Sequence, residues 1–176
     1  MEWRAFEIHP ETPPEGKRYD LPPGKARAIG EHLQKMAQDA GKKMNPKDFL
    51  ANSRLALEAA EYAKEEGKME PFHNALFDAY FRDAKNIGEM DVLLELGESS
   101  GLDRQGLAKA LNDRTYSERV ERDSELAKRL NIGAVPSFIF DNKYMVQGAQ
   151  PYEVFKQVMD QYVLPGRASS TGEQVT

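Results

Sequence analysis

Hydrophobic and polar positions divide the chain into a short head, a long helical middle and a β-rich end. Over Trp3 to Ile8, Trp3 and Ala5 fall on one face and Phe6 and Ile8 on the other. Apolar residues on both faces predict a strand covered on both sides, as in an α/β sheet. It stops at His9-Pro10, and prolines at 10, 13, 14, 22 and 23 make residues 11–25 a loop. From there the period becomes helical. Ala26, Ile29, Leu33, Met36 and Ala40 form one stripe, closed by Gly41. Asn52-Ser53 is the expected cap of a helix whose face of Leu55, Ala56, Ala59, Ala60 and Ala63 is small enough for close approach by a neighbour. Gly67 ends that helix. Phe72, Leu76, Phe77 and Tyr80 carry the next stripe, through Ala84. Asp91 and Asp103 are expected caps of two short helices, one holding Val92 to Leu96, the other Leu107, Ala110 and Leu111. Tyr116, Val120, Ala127 and Leu130 mark the last helix of the block, broken at Asn131-Ile132-Gly133.

After Gly133 the period falls to two. Pro136 to Phe140, a turn at Asp141-Asn142-Lys143, and Tyr144 to Val146 predict a β-hairpin. Gly148 leads into a final helix with Pro151 in its first turn and Phe155, Val158, Met159 and Tyr162 as its apolar face. Residues 165–176 are small and polar, and a disordered tail is expected there.

Composition narrows the chemistry. The chain has 176 residues, 40% hydrophobic and 30% charged, as in a soluble globular domain with room for a sizeable core. A net charge of -5 argues against a nucleic-acid partner, which calls for a basic patch. No apolar run approaches the ~20 residues that span a bilayer, so no membrane partner is expected. Glu2, Arg4 and Glu7 argue against a secretory signal in Met1 to Pro10, and a cytoplasmic location is the expectation. Most restrictive is the absence of cysteine, which removes disulfides, metal thiolates and cysteine nucleophiles together. His9, His32 and His73 match no compact metal motif. Glycine-rich phosphate loops and Gly-x-Ser-x-Gly are also missing, so no metal or cofactor is expected.

Single residues have competing readings. Pro136 is equally a plain strand-opening proline or part of a functional loop. His9 either holds the loop after a strand or places a polar group near an active-site face. His73 is expected to be a hydrogen-bonded packing residue and His32 a solvated one. Gln150 either caps the last helix or lines a groove, with the cap preferred. The aromatic set Phe72, Phe77, Tyr80 and Phe81 reads as core. The charge-rich run Ser117 to Arg129 reads as a solvated helix face.

A helix, Val135-Pro136, a hairpin and a helix in that order are similar to the second half of a thioredoxin fold. Trp3 to Pro10, Asn52 to Ala60, Phe72 to Phe77, Gly133 to Phe138 and Gln147 to Pro151 each resemble, in order, the FrnE-type dithiol-disulfide oxidoreductases of the DsbA-like branch. The resemblance implies an α/β, incomplete thioredoxin-like fold with a large helical insertion. Residues 1–10 and 115–164 would form the thioredoxin-like portion and 26–114 the insertion. It also implies a cis Pro136 that presents the Val135 backbone to an extended substrate segment by strand addition. His9, Pro10 and Gln150 would lie on the active-site face, and the partners would be protein or peptide thiols and disulfides.

Family members begin with a strand and a Cys-x-x-Cys motif at a helix N-terminus, where the dipole stabilises the attacking thiolate. That unit, on the order of 30 residues, has no counterpart in the sequence. The expectation is a redox-inactive chain with two unpaired sheet edges, through which it could pair as a homodimer. Two other classes stay open. One is a glutathione-dependent isomerase or kappa-type transferase of the same fold; the other is a redox-silent module binding partners through the Val135 loop.

Overall fold

The structure is a computed structural model that describes residues 2–18, 22–45 and 47–165, the side chains of Pro23 and Ala26 excepted. The chain divides into two compact units, Met1–Ser124 and Glu125–Thr176.

The first unit is helical. A two-residue strand, β1 (Lys17–Arg18), pairs antiparallel with β2 (Phe49–Leu50), and α1 (Pro23–Asp39) lies between them in sequence. Then come α2 (Arg54–Glu65), α3 (Met69–Phe77) with a π turn over Asp78–Arg82, α4 (Met90–Ser99), α5 (Arg104–Asn112) and α6 (Ser117–Arg129), which crosses the boundary between the units. The core gathers the small face of α2 (Ala56, Ala59, Ala60, Ala63) with Phe72 and Leu76 of α3, Leu93 and Leu94 of α4, and Leu107, Ala110 and Leu111 of α5. The alanines let the other helices come close to α2. Gly97 does the same between α4 and α5, where a Cβ would lie 2.5 Å from a Leu107 methyl. Asp103 caps α5, accepting the Gly106 N–H at 2.5 Å, as expected. Gly41 and Gly67 follow α1 and α2 in the left-handed conformation that suits glycine.

Several expectations are corrected. Trp3 to Ile8 is not a strand. A strand exists by pairing with a neighbour, and the described strands pair only as β1 with β2 and as one later hairpin. Nor is the segment covered on both sides, since Trp3 and Ile8 are exposed. Residues 11–25 are not wholly loop, because Gly16 (φ +79°) lets β1 meet β2 where a Cβ would strike the Phe49 ring at 2.1 Å. The α1 stripe has helical spacing, yet Ile29, Leu33 and Met36 are exposed. Asp91 lies inside the first turn of α4 and caps nothing. At the start of α2, Asn52 rather than Ser53 does the work: its side chain accepts the Arg54 N–H at 2.8 Å and donates to Thr12 O at 2.6 Å.

Side chains hold the head segment instead of a ladder. Asp123 of α6 accepts the Ala5 N–H at 3.2 Å and pairs with Arg4 at 2.9 Å. Lys64 approaches Trp3 O at 3.4 Å, and Arg54 pairs with Glu7 at 2.7 Å. Glu7 is thus tied at the start of α2 and Trp3 near its end, so the segment runs antiparallel to that helix.

The second unit holds a hairpin, β3 (Ser137–Phe140) and β4 (Tyr144–Gln147), followed by α7 (Tyr152–Val158) and a π turn over Met159–Val163. Ser137 faces Gln147 and Phe140 faces Tyr144. Asp141 and Asn142 both take positive φ at the turn, the geometry that right-twisted hairpins favour. Phe138 packs edge-on against Phe155 at 4.9 Å, so the hairpin and α7 share an apolar face. Pro165 still lies in helical backbone, and the rest of the expected tail, residues 166–176, falls outside the described residues. Among the described residues no helix is long and apolar enough to cross a membrane.

Candidate functional site

Three of the residues singled out in the sequence meet at the open end of the hairpin. After α6 the chain reverses at Asn131 (φ +54°), and the Ile132 N–H bonds Ala127 O at 2.9 Å. The Val135–Pro136 peptide is cis. Pro136 O accepts the Gly148 N–H at 2.7 Å, and the Ser137 hydroxyl donates to Ala134 O at 2.7 Å. Gly148 (φ +85°) turns the chain out of β4, where Gln150 Nε2 donates to Gln147 O at 3.0 Å. Gln150 thus ties this turn and does not cap α7, whose cap position is Pro151. Its own backbone N–H already bonds Gly148 O at 3.0 Å, which aims the amide back at the strand end rather than at the helix. Val135 sits between these tied residues, 45% exposed, and its backbone has no hydrogen bond among the described residues.

His9 and Pro10 belong to the first unit. His9 O accepts the Thr12 N–H at 3.1 Å, and its ring nitrogen lies 3.1 Å from the Glu11 carboxylate. The residue holds a turn. The Glu11 carboxyl is held below its ordinary pKa by its own backbone N–H, with His9 and Lys17 adding to the effect. His73 is not the hydrogen-bonded residue expected: its ring lies 4.5 Å from that of Trp3 and stacks on Phe77 at 4.4 Å. Burial lowers its pKa. His32 is exposed on α1, as expected. Phe77 and Phe81 are exposed as well, so of the expected aromatic core only Phe72 is fully buried.

Two buried acids on α2 escaped the sequence reading. Glu58, fully buried, accepts from Arg54 at 3.0 Å and from Arg114 at 2.6 and 3.0 Å. Arg54 also reaches the Ser117 hydroxyl at 2.8 Å and Glu121 at 2.6 Å, joining α2 to the start of α6. Glu61 is the second, one turn further along. The local hint for Glu58 was its spacing of four from Arg54; Arg114 lies far along the chain.

Residues 1–160 match the family model of the DSBA-like thioredoxin domain. The chain belongs to that family. Its fold is accordingly a DsbA-like, mixed α/β thioredoxin fold. A probable DsbA oxidoreductase from Streptomyces coelicolor superposes with a TM-score of 0.82 at 26% identity, over 98% of this DsbA-like chain and 76% of that one. YwbO of Bacillus subtilis is 31% identical over 163 residues, 90% of this chain and 80% of YwbO. The ClpXP adapter protein SpxH of Bacillus subtilis is 26% identical over 111 residues, 60% of this chain and 37% of SpxH.

Proposed function

We propose that this chain supplies the substrate loop and helical cover of a DsbA/FrnE-like thiol-disulfide oxidoreductase, and that its 176 residues alone carry out no dithiol exchange. The observation that carries this reading is the pairing of a family match over residues 1–160 with the absence of any cysteine. Exchange proceeds by thiolate attack on a disulfide sulfur, and the chain has no thiol to ionise. What it offers is Val135, exposed and with its backbone unpartnered among the described residues, beside a hairpin end that Gly148 and Gln150 hold in place. An extended segment of a protein or peptide substrate would add there as a short strand.

A second reading, a redox-silent binding module, is favoured by the similarity to SpxH, which is named as an adapter. One experiment separates the two. The protein is purified from its source, its intact mass taken, and its thiols alkylated. A mass above 19.9 kDa with two alkylatable thiols supports the oxidoreductase reading. A thiol-free protein of 19.9 kDa supports the adapter-like one. The isolated chain is expected to leave insulin disulfides intact; reduction that persists after further purification would overturn the proposal.

A further inference from the structure

Between α2 and the first half of α6 lies a cavity of about 300 Å³, walled almost wholly by charged side chains. Most of those charges are matched. Arg4 bonds Asp123 at 2.9 Å and Glu2 at 3.1 Å, and Arg119 bonds Glu65 at 2.8 Å. Glu61 is not matched: it is only 7% exposed, it lines the cavity, and it makes no hydrogen bond or ion pair among the described residues. Its carboxylate oxygens are not sealed from water, so the cavity is what they open onto. Two cations lining the cavity, one from each helix, are only loosely engaged. Lys64 reaches Glu2 at 3.5 Å and Trp3 O at 3.4 Å, and Arg122 reaches the solvent-exposed Glu118 at 3.6 Å.

We propose that this cavity binds a small zwitterion of the amino-acid type, its ammonium on Glu61 and its carboxylate on Lys64 and Arg122. A plain cation would satisfy Glu61 but face Arg119 and Arg122. A plain anion would satisfy the loose cations but face Glu61. A molecule carrying both charges answers both, and the cavity volume lies at the small end of ligand sites, which run from about 300 Å³ upward. Among the described residues no group of carboxylates and histidines suits a metal ion.

The test is a titration of the full chain with L-alanine, followed by calorimetry and by the carboxyl-carbon resonance of Glu61, with ethylammonium and acetate as single-charge controls. The expected result is saturable binding of alanine that moves the Glu61 resonance, with either control weaker by about tenfold or more. That is the scale of one lost charge-assisted hydrogen bond. E61Q and R122Q should each weaken alanine by a similar factor. Should E61Q not fold, the Glu61 resonance in the unmodified chain still decides. No saturable response, a control that binds as tightly as alanine, or unchanged binding in a folded E61Q would each overturn the proposal.

Discussion

At the scale of single residues, Glu58 and His73 have measurable consequences. Glu58 satisfies two guanidinium groups from a fully buried position. Removing one partner of a buried pair costs about 3–5 kcal/mol. Because Arg114 is half-exposed and can turn to water, E58A is expected to cost about 3 kcal/mol, the low end of that range. A urea midpoint that falls while the slope of the transition stays fixed would show it. His73 gives a pH dependence. Burial holds its folded-state pKa below the ordinary imidazole value, so the unfolded chain binds the proton more readily. Stability should fall as pH drops below about 6.5 and level off once it passes the lowered folded value. H73F should remove that step, as urea midpoints between neutral and mildly acidic pH would reveal. Neither environment was legible beforehand. A charge among alanines and a histidine beside a phenylalanine become informative only when Arg114 and Trp3 arrive from distant parts of the chain.

At the scale of elements, legibility followed the kind of information each element needs. The helices α2 to α6 were readable because a stripe such as Phe72, Leu76 or Leu107, Leu111 carries its period locally, and so was the cap at Asp103. D103A is expected to cost about 1 kcal/mol in a thermal or chemical melt. Strands depend on neighbours. Trp3 to Ile8 has a strand's composition without a ladder partner, and β1 is too short to show any period. The stripe on α1 shows the opposite failure, since periodicity reports a face and not what covers it. Charged substitutions there, I29E or M36E, should therefore change stability by no more than about 0.5 kcal/mol, by the same melt. The hairpin was readable through its Asp-Asn turn, while the tie from Gln150 to Gln147 was not, because a glutamine before a proline fits a cap equally well. The sequence pointed to the Val135–Pro136 turn through its proline, while nothing in it marked Glu61 as an unpaired acid.

At the scale of the whole molecule, the buried cluster from Ala51 to Tyr116 lies entirely within the first unit. A fragment ending at Arg129 should therefore melt cooperatively, with most of its helical signal, as circular dichroism would test. The head of that unit has a further property. Trp3 to Glu7 is fixed by Asp123, Arg54 and the His73 ring, yet the Phe6 and Ile8 amides have no acceptor among the described residues. The segment is well placed and unprotected at once. The Phe6 and Ile8 amide protons should exchange with deuterium almost as fast as in a loose peptide, although the side chains around them hold position. A protease, which bonds its substrate through free backbone amides, would find two of them here, and the first nick in this protein should fall ahead of Pro10.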